Sequence, residues 1–269
     1  MDTNASSSSA VILFGLVHRS LRHVVESLQQ RVLAPLAALG DVDVFFHSWD
    51  VRQIVNPRAG ELDVAVSPED IARLLPGARG VIESQDAFDA AIDWEPMFAR
   101  NPMWHCTRDE ASARATLMNF RRAIESAERA WTVFEQQRTR RYRRVVVARP
   151  DLRFIDELEV PAELRGPGPD ERGGRVLWAP RHHAWGGVND RLAIGSEEAI
   201  GVWCRRTAFA DGWLLGADNQ NSEWLLMKWL ARNRVEVRPI DLLFQRVRSD
   251  GTVARLDAAL APVGSARCD

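Results

Sequence analysis

The residues able to do chemistry gather in a few polar clusters. Arg149-Pro150-Asp151-Leu152-Arg153-Phe154 sets an acid between two arginines directly after an apolar run. If that stretch is extended, Arg149, Asp151 and Arg153 share one face. A carboxylate there suits Mg²⁺ or Mn²⁺ against phosphate oxygens, since hard cations prefer oxygen ligands; a structural Arg–Asp ion pair explains the same spacing. His182-His183-Ala184-Trp185-Gly186-Gly187-Val188-Asn189-Asp190 mixes imidazoles, an indole and an Asn-Asp pair. The mixture suits a polar ligand such as a sugar, met by His183, Trp185 and Asn189. Adjacent histidines are poorly spaced for one zinc ion, and Asn189 with Asp190 equally fits an Asx turn.

Glu223 falls in the first turn of a helix after Asp218-Asn219-Gln220-Asn221-Ser222. The helix dipole favours an acid there, so simple capping accounts for it, and a catalytic base is the alternative. Between an apolar run and a helix, Gly15 allows close backbone approach and Arg19 adds a cation beside free helix N–H groups, which together could receive a phosphate. The spacing is neither that of a P-loop nor that of a dinucleotide site, and an Arg19 that merely solvates a loop fits as well.

These loops need a frame. Ala10–Val17 is apolar without polar alternation, the pattern of a strand covered on both faces. Ser20 is placed to cap a helix from about Leu21 to Leu39, with Val24, Leu28, Val32 and Leu36 on one face and Gly40 at its stop. Asp41–His47 follows as a second strand, completing a βαβ unit. Ser67-Pro68-Glu69-Asp70 heads a short helix, Gly80–Ser84 reads as a third strand, and Gln85 to His105 reads as a long loop. Thr107-Arg108-Asp109-Glu110 is a capping box for a helix ending near Arg138.

Tyr142–Ala148 is another interior strand, and Gly166–Gly174 is a flexible turn. Val176–Ala179 is a short strand. Ser196 caps a helix to about Arg206, Ser222 caps another over Glu223–Asn233, and Val235–Ile240 is the last strand. The expected organisation is a flexible tail over 1–9, one α/β domain over 10–248 and a C-terminal tail over 249–269. In open α/β sheets ligands bind at the carboxyl ends of the strands, which is where the clusters above fall.

Composition narrows the classes. With 46% apolar and 27% charged residues the chain is not expected to be disordered. Thirty-five basic against 37 acidic residues leave a net charge of −2, which argues against a general nucleic-acid partner. No apolar run reaches the roughly 18 residues of a membrane span, the serine-rich start lacks the positive charge of a signal peptide, and the three cysteines form no CxxC. A cytoplasmic location is the expectation.

Taken in order, Phe14-Gly15 to Ser20, Asp43-Val44-Phe45-Phe46-His47-Ser48-Trp49, Val145–Phe154, Asn189-Asp190-Arg191-Leu192-Ala193-Ile194-Gly195-Ser196 and Ser222-Glu223-Trp224-Leu225-Leu226 resemble a family of bacterial and viral glycosyltransferase-like proteins of surface polysaccharides. The resemblance runs from about Val11 to Arg248. It implies a single Rossmann-like, GT-A type α/β domain with a mostly parallel central sheet flanked by helices. It further implies transfer of a sugar from a nucleotide-diphosphate donor to a hydroxyl of a glycan or lipid-linked acceptor. Gly15, Arg19, Arg149, Asp151 and Arg153 would then lie on the donor side, His183, Trp185 and Asn189 on the acceptor side, with Glu223 or Asp190 as base. Arginine stands where a GT-A enzyme has the first acid of Asp-x-Asp. Either Asp151 helps bind Mg²⁺ or Mn²⁺, or Arg149 and Arg153 meet the departing diphosphate directly. A sulfotransferase, with phosphosulfate at Gly15–Ser20, and a non-catalytic glycan-binding or scaffold relative are the alternatives.

Overall fold

The structure is a computed structural model that describes residues 8–56, 59–102, 109–166, 175–216 and 221–260. Its first strand, β1 (Ser9–Gly15), is buried on both faces, as the unbroken apolar run requires. Ala10, Ile12 and Phe14 enter one core with Trp131, Phe134, Trp203 and Leu226. Val11 and Leu13 enter the other with Leu21, Leu28, Val32 and Leu36. The period of two thus divides one strand between two helical layers.

The expected helix after β1 is interrupted. It begins as α1 (Leu21–Leu28), widens into a π-helical stretch, Gln29–Leu33, and resumes as α2 (Ala34–Ala37). Pro35 has no N–H to offer the carbonyl of Arg31, and the Leu158 amide donates to that carbonyl instead, at 2.7 Å. Ser20 does not cap α1 with its side chain, because its hydroxyl donates to the carbonyl of Val247.

Strand β2 (Val42–Asp50) runs parallel to β1. A small antiparallel hairpin, β3 (Gln53–Asn56) and β4 (Glu61–Ala65), follows it, and sequence patterning did not anticipate it. After the short α3 (Asp70–Leu74) comes β5 (Arg79–Ser84), parallel to β2. Residues 85–100, expected as loop, instead hold two short helices, α4 (Gln85–Ala90) and α5 (Glu95–Arg100), too brief for helical periodicity to stand out. The long α6 (Glu110–Gln137) is capped by Asp109, which accepts from the Ser112 amide; Thr107 lies outside the described residues.

Strand β6 (Arg144–Ala148) pairs with β1, in parallel. The chain then turns into β7 (Leu152–Phe154), crosses to β8 (Val176–Pro180) and returns as β9 (Leu192–Gly195). Three helices follow: α7 (Glu197–Cys204), capped by Ser196; α8 (Thr207–Gly216), not foreseen; and α9 (Ser222–Arg232). Asn221, not Ser222, caps α9, accepting from the amides of Glu223 and Trp224. The last strands are β10 (Glu236–Ile240) and β11 (Phe244–Arg246), the latter paired with β7.

The central sheet has the order β10-β8-β9-β6-β1-β2-β5. Only β9 opposes its neighbours. The mostly parallel α/β sheet flanked by helices is therefore the observed fold class. Two boundaries differ: Ser8 and Ser9, read as the end of a flexible tail, are buried, with Ser9 opening β1, and the segment read as a tail from 249 packs into the molecule as far as 260, with Ser249 and Asp257 fully buried. Among the described residues no helix is long and apolar enough to cross a membrane.

Candidate functional site

Because β9 runs against β6, its entrance lies at the exit of β6. Leu192 is paired with Ala148, and the Arg149 amide donates to the Arg191 carbonyl at 2.8 Å. The sequence segments 149–151 and 189–191, forty residues apart, are thereby neighbours.

Beyond Ala148 the backbone turns at Pro150 and Asp151 and does not stay extended. Arg149 folds back on Asp151 in a two-pronged ion pair, Nε to Oδ1 at 3.0 Å and Nη2 to Oδ2 at 2.5 Å. The shared face expected for Arg149, Asp151 and Arg153 is thus replaced by a fork. Arg153 sits in β7 between the buried Leu152 and Phe154, opposite Gln245, and joins no ion pair among the described residues. Burial opposes the charge of Asp151, but Arg149, with Arg19 and Arg246 nearby, outweighs it and holds its carboxyl below the usual range.

The first loop is committed in a similar way. Gly15, at φ +106°, takes a conformation that favours glycine, and its amide donates to Ser126 Oγ at 2.7 Å. Arg19 forms a bidentate pair with Glu61 of the β4 strand, Nε to Oε1 at 3.0 Å and Nη2 to Oε2. Glu61 also accepts from the amide and hydroxyl of Ser249. Its carboxyl is held low because these bonds outweigh its burial.

The 181–191 loop is pressed onto the start of α9. A Cβ at Gly187 would come within 2.2 Å of the Glu223 carbonyl, so only glycine permits the Val188 amide to donate to that oxygen. His183 and Trp185 have left-handed φ of 54° and 44°, a strain carried by the same loop. His183 is nearly buried, its Nε2 3.1 Å from Asp257 Oδ1. Trp185 is 55% exposed. Asn189 is fully buried and spends its side chain internally, donating to the His182 carbonyl and accepting from the Arg191 amide. This is the Asx-type turn anticipated as its alternative role.

Two carboxylates meet around Arg191. Its Nη1 donates to Glu223 Oε1 at 3.0 Å and lies 2.9 Å from Asp190 Oδ1. That second approach is off the hydrogen-bond direction, so Asp190 Oδ1 is buried and accepts no hydrogen bond. Glu223, 3% exposed, uses its other oxygen to accept from Ser222 Oγ. The two acids are driven apart in acidity. Burial raises Glu223, with the neighbouring Asp190 charge adding to it. Burial also opposes ionisation of Asp190, but Arg191 and Arg149 outweigh it and keep it low. The expectation that the helix terminus would keep Glu223 readily charged is overturned, since desolvation and a like charge exceed the dipole.

The sequence reading missed Arg191, Glu61, Arg246 and Arg248. Arg246 forks onto Asp257, while the guanidinium of the half-buried Arg248 has no hydrogen bond or ion pair among the described residues. Arg248 is held low by burial and by Arg19, and it also faces Asp151 and Glu61. The signal was present in Arg246-Val247-Arg248, two arginines at alternate positions at the end of β11.

No family model and no curated protein matches the chain. Among solved structures it is similar to the glycosyltransferase GlyE of Streptococcus pneumoniae TIGR4, at 11% identity and TM-score 0.39, over 87% of this chain and 45% of that one. It is also similar to an active-site mutant of LgtC, at 12% identity and TM-score 0.39, and to the galactosyltransferase LgtC in complex with donor and acceptor sugar analogues, at 13% and 0.37. Each LgtC match covers 85% of this chain and 72% of the other. The chain spans less than half the length of GlyE. Identities and scores of this size carry no chemistry from those proteins to this one.

Proposed function

We propose that the chain transfers a sugar from a nucleotide-diphosphate donor to a hydroxyl of a glycan or lipid-linked acceptor. The observation that carries this reading is bonding capacity left over toward the carboxyl ends of the parallel strands: the Arg248 guanidinium has no hydrogen bond or ion pair among the described residues, and Asp190 Oδ1, beside Arg191, accepts no hydrogen bond. Group transfer from a diphosphate needs both: a cation for the departing negative charge and a base for the entering hydroxyl. In a single displacement the acceptor oxygen bonds to the anomeric carbon as its proton passes to Asp190. The bond from that carbon to the diphosphate breaks, and the diphosphate leaves with the electron pair toward Arg248. Glu223, with both oxygens already engaged, is the positioning residue that holds Arg191 against Asp190.

A divalent cation fits this donor set poorly. Both oxygens of Asp151 accept from Arg149, and no group of three His, Cys, Asp or Glu among the described residues is placed to hold a metal ion. We therefore assign the diphosphate charge to guanidinium groups. The phosphosulfate alternative has less support, because Arg19 is already paired with Glu61. Calorimetry with UDP, GDP, CMP and adenosine 3′,5′-bisphosphate, with and without EDTA, tests the reading. Binding of one nucleoside diphosphate that survives EDTA is expected; binding of adenosine 3′,5′-bisphosphate alone, or of none, would overturn it.

A further inference from the structure

The seven-stranded sheet ends in β10 on one side and β5 on the other, and the two edges are protected differently. β10 carries Pro239, which has no amide to offer, between the exposed charges of Glu236 and Arg238 and the strand's end. β5 carries no proline, and its middle residues Gly80, Val81 and Ile82 bear no charge. Val81 is 36% exposed and Ile82 40%. Among the described residues five large apolar side chains are exposed, and these two alone are adjacent in sequence.

The parallel register on β2 fixes which residues share a face. Arg79, Val81 and Glu83 stand opposite Phe45, His47 and Trp49, on the face covered by α6. There the Arg79 guanidinium lies 4.5 Å over the Phe45 ring, and Glu83 accepts from His47 and from Arg129 of α6. Gly80 and Ile82 stand on the other face, opposite Phe46 and Ser48. The Phe46 ring occupies the space that a Cβ at Gly80 would take.

This order of residues is complementary to itself. In an antiparallel pair with a two-fold axis through Val81, Arg79 faces Glu83 of the copy, Gly80 faces Ile82, and Val81 faces Val81. Opposite charges then oppose each other at both ends of the seam. Each Ile82 lies across from the notch at Gly80, in line with the Phe46 ring, and two β-branched side chains meet at the centre. A slip of one residue loses the match, setting either Arg79 against Ile82 or Glu83 against Gly80. Any extended peptide could use a free edge, but the symmetric order of charge and bulk selects a second copy.

We infer that β5 pairs with β5 of a second copy of this chain, antiparallel about Val81, so that two seven-stranded sheets become one. Pairing of β5 with β10 would run head to tail without closing, and Pro239 opposes it. A seam of six residues is short against the roughly 1,200–2,000 Å² of a stable interface, so the dimer is reversible, with a dissociation constant on the order of micromolar to tens of micromolar. None of the residues assigned to transfer lies on β5, and the pairing stands apart from that reading.

The test is sedimentation velocity of the full chain from about 1 to 200 µM, with the thermal midpoint of every variant recorded. The parent is expected to pass from monomer to dimer over that range and to stop there. Val81→Lys and Val81→Glu should each weaken the dimer by at least about tenfold, because like charges meet at the axis. An equimolar mixture of the two should recover it, which requires a register that sets residue 81 against itself. Ile82→Lys, at the more exposed position, should weaken the dimer as well and decides the matter if the Val81 variants lose thermal midpoint. A parent that stays monomeric throughout the range, dimers that survive Ile82→Lys, a mixture of folded Val81 variants that stays monomeric, or association that continues past the dimer would each overturn the inference. Nucleotide binding is measured separately and reports on the transfer site alone.

Discussion

Two networks of charged side chains lie toward the carboxyl ends of the parallel strands, and only one of them is closed. Around β2 and α6, His47 Nδ1 meets Ser126 Oγ at 2.7 Å and its Nε2 meets Glu83 Oε2 at 3.0 Å. Arg129 bridges Glu83 to Glu125, and Arg121 carries the chain on to Asp211. Ser126 also accepts from Gly15, so each of these groups has a partner. Serine, histidine and acid in series suggest a hydrolase by composition, yet Ser126 is fully buried and its oxygen is occupied. Around β6, β9 and α9 the same residue types leave Asp190 Oδ1, Arg191 Nε and the Arg248 guanidinium without hydrogen-bond partners among the described residues. Leaving buried polar groups unsatisfied costs stability. The open network is the place where the proposed transfer would have its substrate complete the bonding.

The largest effect should come from the open carboxylate. Asp190→Asn keeps the shape but cannot take a proton, and turnover should fall by about 10²–10⁴ with donor affinity nearly unchanged. Glu223→Gln should lose less, because Gln still accepts from Arg191. Steady-state rates and calorimetric donor affinity check both. A Glu223→Gln loss exceeding that of Asp190→Asn would transfer the base to Glu223.

Asp151 belongs to the closed kind although it sits beside the open site. Asp151→Asn removes the counter-charge of the partly exposed Arg149, whose remaining neighbours Asp190 and Glu223 compensate in part, so we expect a loss of about 1.5–3 kcal/mol in urea unfolding. Rate and EDTA response in the surviving folded fraction should resemble the parent. A strong metal dependence abolished by this variant would restore Asp151 as an ion ligand.

The difference between the networks explains what was legible in the sequence. Apolar runs announced β1 and β6, and the clusters around Arg149, Asp190 and Glu223 announced loops that the fold brings together, because patterning and loop position are local properties. The partners were not local. Glu61 reaches Arg19 from a hairpin whose strands are only four and five residues long, and Arg248 stands at the very end of the segment read as the domain, past the last expected strand. The turn at Pro150 depends on the Arg149–Asp151 fork, which spacing alone did not distinguish from an extended face. Likewise, the acidity of Glu223 is set first by burial and then by Asp190, thirty-three residues earlier.

The closed network should make itself known through pH. Burial lowers His47 from 6.5 to about 4, against the pull of Glu83, while Arg129 adds to the lowering and Glu125 opposes it. The unfolded chain therefore takes a proton that the folded chain refuses. Stability is full above about pH 6.5, declines as pH falls, and by about pH 4 has lost up to about 3 kcal/mol from this group. His182, also lowered to about 4, acts in the same window. Urea midpoints from pH 7 to 4 should show a smaller decline in His47→Gln than in the parent. An identical slope would mean that His47 titrates normally.

The smallest effect separates a ligand cation from a structural one. The Arg248 guanidinium has no hydrogen bond or ion pair among the described residues, so Arg248→Ala removes none; it relieves repulsion with Arg19 and Arg246 and gives up attraction to Asp151 and Glu61, two opposed changes. Its thermal midpoint should stay close to that of the parent. A bound diphosphate would lose one charge-assisted contact, which is worth about 1.5–3 kcal/mol, a tenfold to roughly hundredfold weakening. The matching nucleoside lacks phosphate and should bind both proteins alike. Arg19→Ala is the instructive contrast: it strips Glu61 of its partner, so its first consequence should be lost stability, with nucleotide affinity affected second. If Arg248→Ala weakens nucleoside and diphosphate equally, or destabilises the fold as Arg19→Ala does, the unpaired guanidinium belongs to the scaffold, and the diphosphate must be met by Arg149 released from Asp151.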